Sequence, residues 1–420
     1  MKNNIDFIKG FFSRSGSYVF SAAVVARLLS FAASWVVLQL ISNKELGIVI
    51  FSFSIISFII PFGGLGLYQG LIRYGALLNS EVEKESLFIY VFKNGLITTS
   101  LLVLILIFCS LFIPFKYEST GNYLIVLSFV LIPHYLLSII KIQFRLKHDN
   151  KTFSFIEITY NSLLFITVLS LSYFFNAKGY ALALLIAPCL TALIYLRKLN
   201  IDFSQKKILN ITDYSFWKYG FFASLAVSVA QFLIAIDIVL IGYLMNNSEA
   251  VTQYKYVSLI PFSLLFLSQV FINTDFVTFT EKIKNKNFIF NYIKRYMIFF
   301  SFVSITICGF SFLFSHQILL LLDPSFVQFS TAFLILIVGI CGILIFRGLF
   351  GNLLSSIGKV HINYYIGGAA LILNIISNYF LIPKFGITGA AITTAVLMWI
   401  TGIISCVWFL HLYKNLKNIK

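Results

Sequence analysis

The sequence predicts an all-α integral membrane protein with about twelve transmembrane helices. Hydrophobic residues make up 59% of its 420 residues and charged residues only 11%, which differs from the composition of an ordinary globular domain. Each crossing takes about 20 apolar residues. The hydrophobic content therefore suffices for about a dozen crossings and leaves no separate soluble domain.

Long apolar runs, separated by short connections, define the elements in order. We predict spans at 17–41, 47–71, 88–113, 122–141, 153–175, 179–196, 217–244, 251–279, 293–315, 329–350, 361–383 and 387–411. Short connections favour consecutive helices packed side by side. We expect no cleavable signal peptide, because the basic segment Met1–Arg14 precedes an apolar run that is too long for a signal sequence.

Lys and Arg residues are concentrated in every second connection. Counting from the N-terminal segment, 25 of the 31 Lys and Arg residues lie in alternate segments and 4 in the intervening loops, while Arg27 and Lys255 fall inside spans. Cytoplasmic loops of membrane proteins carry the excess of positive charge. The pattern predicts that both termini are cytoplasmic and that the number of spans is even.

The charge and cysteine patterns argue against two classes of ligand. The net charge of +16 does not indicate a nucleic acid, since the basic residues lie between apolar spans rather than on one soluble face. The five cysteines are scattered and show no Cys/His spacing suited to zinc. We therefore expect the lipid bilayer as a partner, no nucleic acid, no metal site and no bound cofactor.

Similar local patterns recur about 206 residues apart and indicate an internal repeat. Three pairs carry it: Glu45 with Glu249, Asn150-Lys151 with Gly358-Lys359, and Lys178–Ala181 with Phe385–Thr388. With six helices in each repeat, both repeats begin on the same side of the membrane. We predict an N-terminal lobe at 1–197, a cytoplasmic linker at 198–216 and a C-terminal lobe at 217–420.

The segment from Ser355 to Ala395 predicts a helical hairpin. Pro383 lacks an N–H and is expected to end the first helix. Gly386 permits a tight turn. The small residues from Gly389 to Ala391 allow close helix packing in lipid.

Four segments together resemble a known transporter family. They are Ile41–Gly47, Gly64–Tyr74, the seventh predicted span with Tyr219-Gly220, Asp237 and Ile241-Gly242, and the hairpin Ser355–Ala395. In order and spacing they resemble Wzx-type O-antigen flippases, the polysaccharide branch of the multidrug/oligosaccharidyl-lipid/polysaccharide exporter superfamily. The resemblance covers nearly the whole chain.

That resemblance implies both fold and function. The implied fold is a two-lobed bundle with a central cavity in the bacterial inner membrane. The implied activity is translocation of an undecaprenyl-diphosphate-linked oligosaccharide, such as a lipopolysaccharide O-antigen unit, to the periplasmic leaflet, with polysaccharide polymerase machinery as a partner. No enzymatic chemistry is required. Any energy source would be a proton or sodium gradient or the substrate flux itself.

Four cations within or beside spans are the candidate diphosphate ligands. Arg27 and Lys255 lie inside the first and eighth spans, and Arg73 and Arg347 near the inner ends of the second and tenth. Charges in such positions are costly, and Arg offers bidentate contacts to phosphate while Lys offers a point charge. Interhelical pairing of Arg27 and Lys255, and snorkelling of Arg73 and Arg347 to headgroups, are the alternatives.

Three carboxylates and two amides complete the candidate site. Asp237, Glu157 and Asp275 are candidate counter-ions or proton carriers, and Asp237 could pair with Arg27 or Lys255 or form a static ion pair. Asn374 and Asn378 share one helix face. They are candidates either for contacts to sugar hydroxyls or for hydrogen bonds between helices.

Three other functions remain open. A drug or cation antiporter of the same superfamily would favour a cavity rich in carboxylates, whereas this chain has more cations within its spans. A membrane-bound polymerase or ligase would need a large outer loop with paired catalytic residues, and every predicted outer loop is short. A scaffold would not explain the ionisable residues inside the spans.

Overall fold

The computed structural model of the protein describes residues 17–78, 80–115, 117–201, 212–357 and 359–414, and all regular structure in these ranges is helical. Residues 202–211 of the predicted linker and Gly358 of the predicted repeat lie outside the described residues. The all-α membrane fold is thus confirmed.

Fifteen α-helices follow in order along the described residues. They are α1 Ser17–Leu40, α2 Asn43–Ile59, α3 Leu67–Ala76, α4 Glu81–Phe112, α5 Thr120–Ser128, α6 Leu131–Leu146, α7 Asn150–Leu199, α8 Tyr214–Met245, α9 Ser248–Ser263, α10 Phe266–Glu281, α11 Lys286–Leu320, α12 Ser330–Gly342, α13 Gly348–Ser356, α14 Val360–Phe385 and α15 Ile387–Lys414. Two 3₁₀ segments, Ile60–Gly66 and Pro324–Phe329, precede α3 and α12, and the π-helical turn Ile343–Arg347 joins α12 to α13.

Ten helical stretches of the described residues are long and apolar enough to cross a membrane, and some of them join two of the helices named above. The two halves of α8, bent by 51°, bring the number of candidate spans to eleven. Helix α7 counts once, yet its 50 residues would extend about 75 Å if straight, more than twice the bilayer core. Its backbone leaves the helical region at Asn176, with φ 49° and ψ −133°. Divided there, α7 supplies the fifth and sixth predicted spans.

The break in α7 and the turn between α14 and α15 have the same backbone shape. Gly386 has φ 56° and ψ −135°, close to the values of Asn176, 210 residues earlier. A Cβ on Gly179 would lie 1.9 Å from a carbonyl oxygen eight residues before it, and one on Gly389 would lie 2.4 Å from the equivalent oxygen. The structure therefore pairs Gly179 with Gly389, three residues from the predicted partner Gly386.

Pro383 does not end α14, contrary to the prediction. The helix continues through Pro383 and ends at Phe385, before Gly386. A proline in the last turn removes one backbone N–H, which costs a single hydrogen bond, and membrane helices tolerate such a loss.

Contacts between Cα atoms divide the chain into two compact units. Unit N comprises Ser21–Gly242 and Asn246–Thr252, and unit C comprises Tyr243–Met245, 253–414 and the first residues of α1 through Phe20. Helix α8 thus groups with unit N, although the predicted repeat boundary precedes it. Grouping by contacts does not test where one sequence repeat ends and the next begins, so the boundary at 198–216 stays a prediction.

In each unit, the hydroxyl of a buried tyrosine links two helical segments through a hydrogen bond. In unit N the buried hydroxyl of Tyr135 donates to the Val91 carbonyl at 2.6 Å. In unit C the hydroxyl of Tyr296 donates to the Leu344 carbonyl at 3.1 Å. A buried hydroxyl without such an acceptor would destabilise the core by about 1–3 kcal/mol, so these bonds specify how the helices pack.

Candidate functional site

The structure distributes the four candidate cations over both units. Arg27 and Arg73 belong to unit N, and Lys255 and Arg347 to unit C. Each lies on a helical stretch that is long and apolar enough to cross a membrane. None of the four has a carboxylate partner within the described residues. A cation in such a position lacks the counter-charge that proteins normally supply.

Arg73 is held by aromatic rings at the end of α3. Its guanidinium carbon lies 4.4 Å from the ring centroid of Tyr219 on α8 and 5.7 Å from that of Tyr74. The two rings meet edge-on, 6.0 Å apart. Among the described residues, the N–H groups of Arg73 make no hydrogen bond, so they are available to an anion.

Arg347 is held through its N–H groups instead. One guanidinium nitrogen, Nη1, donates to the side-chain oxygen of Asn363 at 3.0 Å and to the hydroxyl of Ser405. The Asn363 amide nitrogen in turn donates to the Gly351 carbonyl at 2.7 Å, which fixes the orientation of the amide. Within the described residues, the acceptors of Arg347, which include the Asn363 backbone carbonyl, are therefore neutral oxygens.

The π-helical turn that carries Arg347 depends on a close approach of α15. A Cβ on Gly402 would lie 3.0 Å from both the Gly342 carbonyl oxygen and Cβ of Phe346. Glycine at 402 therefore lets α15 lie against the backbone of the turn. Single π-helical turns inside α-helices are frequent at functional sites.

Arg27 and Lys255 are both exposed on their helices. Lys255 stands between Tyr254 and Tyr256, which are buried, so its side chain leaves the packed face of α9. Its backbone carbonyl accepts a hydrogen bond from Ser258 at 3.1 Å. Both side chains thus retain exposed surface on their helices.

The three candidate carboxylates lie in different settings. Glu157 on α7 pairs with Lys141 on α6, which indicates a structural ion pair. Asp275 is 2% exposed and accepts a hydrogen bond from the Tyr292 hydroxyl at 3.1 Å. Asp237 is fully buried in α8. Only the latter two are shielded from solvent.

Asn374 and Asn378 lie in the contact between α14 and α15. The amide of Asn378 donates to Asn374 at 3.0 Å, and the amide of Asn374 lies 3.5 Å from the Thr394 hydroxyl. Both side chains are at most 1% exposed. In this conformation their placement favours the interhelical alternative over contact with a sugar.

Sequence reasoning missed the side chains that hold the arginines. Tyr219, Asn363 and Ser405 lie 146, 16 and 58 residues from the arginine that each contacts. The only sequence signal was the Tyr219-Gly220 pair in the resemblance. No group of three or more His, Cys, Asp or Glu residues suited to a metal ion occurs in the part of the chain that the structure describes.

Comparisons with known proteins identify a shared fold. No protein-family profile matches the chain. An uncharacterized membrane protein of Methanocaldococcus jannaschii is 23% identical over 418 residues, covering 90% of this chain and 81% of that protein.

Three solved structures have similar folds. An inward closed structure of the lipid II flippase MurJ gives a TM-score of 0.71 at 19% identity, covering 94% of this chain and 87% of its own. An inward-facing multidrug resistance MATE family transporter gives 0.68 at 13% identity, covering 96% and 99%. A MOP superfamily transporter of Pyrococcus furiosus, described as having a binding pocket of reverse polarity, gives 0.65 at 14% identity, covering 97% and 96%. The chain therefore has the fold that these transporters share.

Proposed function

We propose that the protein is a flippase that moves an undecaprenyl-diphosphate-linked oligosaccharide, such as an O-antigen unit, between the leaflets of a bacterial inner membrane. The observation that carries the proposal is the set of four cations on membrane helices without a carboxylate partner in the described residues. A cation at the centre of a membrane helix, as predicted for Arg27, costs about 2.5–3.5 kcal/mol on insertion scales. A diphosphate would supply the missing counter-charge.

The chemistry of the four groups suits a diphosphate. The N–H groups of Arg73 make no hydrogen bond within the described residues, and the edge of a guanidinium binds phosphate oxygens in a bidentate manner. Among the described residues, Arg347 donates hydrogen bonds to neutral oxygens only, which a phosphate could displace. Arg27 and Lys255 are exposed. The shared fold with a lipid II flippase supports a lipid-linked substrate.

Direction follows from the charge pattern of the loops. The excess of Lys and Arg in alternate segments places both termini in the cytoplasm. Arg73 and Arg347 then lie near the cytoplasmic ends of their spans and would capture the diphosphate there. Rocking of two helical repeats would re-expose the substrate on the periplasmic side, for delivery to polymerase machinery.

A multidrug transporter is the second candidate, and the buried carboxylates favour it. Asp237 and Asp275 are at most 2% exposed, and carboxylates inside membrane helices mark ion pathways and proton relays. Several solved structures with the same fold are described as MATE transporters. Coupling to a proton or sodium gradient belongs to this alternative and is also compatible with a flippase.

Reconstitution into proteoliposomes tests the proposal. We expect the wild type to translocate a defined undecaprenyl-diphosphate oligosaccharide, with a large loss of rate in Arg27→Ala and in Lys255→Ala. Lys384→Ala, which removes an exposed lysine near the outer turn, is the matched control and should retain the wild-type rate. Each rate is measured with and without a pH or sodium gradient.

The outcomes separate the two candidates. Full activity of Arg27→Ala and Lys255→Ala, with both proteins inserted normally, would exclude the cation role. Efflux of a cationic dye driven by a gradient, with no movement of the lipid-linked oligosaccharide, would favour the multidrug transporter instead.

A further inference from the structure

Unit N contains a polar pocket at the end of the bundle predicted to face outward. The pocket measures about 480 Å³. Lys44 at the start of α2, Tyr117 and Glu118 before α5, and Asn247 and Glu249 around the start of α9 form its walls. Three separate connections along the chain thus meet at one place, and neither the predicted nor the proposed site includes it.

Direct contacts between helices hold the walls of the pocket together. A Cβ on Gly47 would lie 1.8 Å from the Ser248 carbonyl oxygen, so α2 and α9 touch backbone to backbone. The Thr252 hydroxyl donates to the Asn43 carbonyl at 2.7 Å. The pocket therefore has a floor that exists without a ligand, which reduces the entropic cost of binding.

Tyr117 anchors the third wall. Its hydroxyl donates to the Gly242 carbonyl at 2.9 Å, and its ring meets Phe51 edge-on at 5.5 Å. Burial raises the pKa of Tyr117 to about 12, so the hydroxyl keeps its proton and this hydrogen bond at physiological pH.

The lining groups suit a neutral ligand with many hydroxyl groups. Lys44 is a donor, Glu118 and Glu249 are acceptors, and Asn246 offers both functions. A free anion would face two carboxylates, and a free cation would face Lys44. A volume of about 480 Å³ lies within the usual range for small-ligand sites, roughly 300–1,000 Å³.

We propose that this pocket binds sugar residues of a glycan on the outer side of the membrane. The proposal rests on the proposed function, because a flippase delivers the glycan of its substrate to that side. Lys44 and Asn246 would donate hydrogen bonds to sugar oxygens, and Glu118 and Glu249 would accept them from sugar hydroxyls.

Saturation-transfer NMR on the full-length protein in nanodiscs tests the site. The probes are chitobiose, lactose and the phosphate-free glycan released from a bacterial lipid-linked oligosaccharide. We expect at least one glycan to bind, and Glu249→Gln and Glu118→Gln each to weaken its affinity about tenfold, as the loss of a charge-assisted hydrogen bond predicts. Glu81→Gln is the matched control, because this exposed glutamate lies at the opposite end of α4.

The results distinguish this site from the proposed function. Absence of binding by all three glycans, or equal affinity in both pocket variants and the wild type, would overturn the glycan site. Translocation of the lipid-linked oligosaccharide without glycan binding would leave the flippase proposal standing. Glycan binding that is sensitive to Glu249→Gln, without any translocation, would support the pocket and contradict the flippase.

Discussion

Arg73 in unit N and Arg347 in unit C occupy comparable places and are held in opposite ways. Both lie near the predicted inner end of a span, and neither has a carboxylate partner in the described residues. Aromatic rings lie beside the guanidinium of Arg73, whereas Asn363 and Ser405 accept hydrogen bonds from the N–H groups of Arg347. The way in which an arginine is held thus decides which of its groups remain open to a ligand.

Local helix geometry accounts for the difference. Arg73 is in the last turn of the regular helix α3 and lies beside Tyr219 of α8. Arg347 ends a π-helical turn against which α15 packs at Gly402, which brings the Ser405 hydroxyl within reach. We therefore expect Arg73 to be the stronger phosphate ligand. Three experiments test this expectation, and a fourth tests the packing of α15 against the π-helical turn.

The largest effect is expected from removal of Arg73. Arg73→Ala should lower kcat/KM for translocation of the lipid-linked substrate about 100-fold, because a bidentate charge-assisted contact is lost. Arg73→Lys should recover part of this loss, since a point charge replaces the planar fork. Initial rates in proteoliposomes measure both variants. A larger loss of kcat/KM in Arg347→Ala than in Arg73→Ala would show that Arg347 is the stronger phosphate ligand.

Removal of the ring that holds Arg73 should have the next largest effect. Tyr219→Leu should raise KM about tenfold and leave kcat nearly unchanged, because the guanidinium is no longer held in place, at a cost of about 1–2 kcal/mol. Tyr219→Phe retains the ring and should restore the wild-type KM. Equal KM values for the leucine and phenylalanine variants would show that the ring has no positioning role.

A carboxylate beside Arg347 should have a smaller effect. Asn363→Asp is expected to form an ion pair with Arg347 and to lower the affinity for the diphosphate about fivefold, since the new carboxylate competes with phosphate. Asn363→Leu, which cannot accept a hydrogen bond, should not lower the affinity. Binding of the lipid diphosphate, measured by displacement of a fluorescent analogue, compares the two variants. An unchanged affinity in Asn363→Asp would mean that Arg347 does not contact the substrate.

The smallest effect concerns stability rather than transport. Gly402→Ala adds a methyl group 3.0 Å from the Gly342 carbonyl oxygen and should destabilise unit C by about 1 kcal/mol. Gly309→Ala is the control, because no atom of the described residues, apart from its own stretch of helix, lies within 4 Å of the added Cβ. Thermal unfolding followed by tryptophan fluorescence measures both. A lower unfolding temperature for Gly309→Ala than for Gly402→Ala would contradict the close approach of α15.

Two pairs of similar sequence positions show which features of a helix break residue type specifies and which it does not. Ile60-Pro61-Phe62 and Ile260-Pro261-Phe262 each come just before an interruption of a helix. Gly64, Leu65 and Gly66 follow the first tripeptide with positive φ values, while α9 ends at Ser263 without such residues among those described. The same tripeptide therefore lies beside two interruptions of different geometry, and only the first is followed by residues with positive φ.

The two turns with the same backbone shape also show the limits of residue type as a predictor. Gly386 was predicted from its residue type, whereas Asn176 was not, although both adopt the same backbone conformation. Asn tolerates positive φ more often than other residues with a Cβ, but it occurs in many other settings as well. Residue type alone could not distinguish this Asn from the others.

The sequence by itself determined the fold class and the approximate positions of the membrane helices, and it supplied the four cations as candidates. These follow from apolar run length and from the cost of charge in lipid, which depend on composition along the chain. Tertiary structure alone decided that Tyr219 lies beside Arg73 and that Asn363 and Ser405 bind Arg347. It also decided that Asn374 and Asn378 are buried and that three outer connections form a pocket. Each of these contacts joins residues from different helices or connections, and hydropathy does not specify which faces of two helices meet.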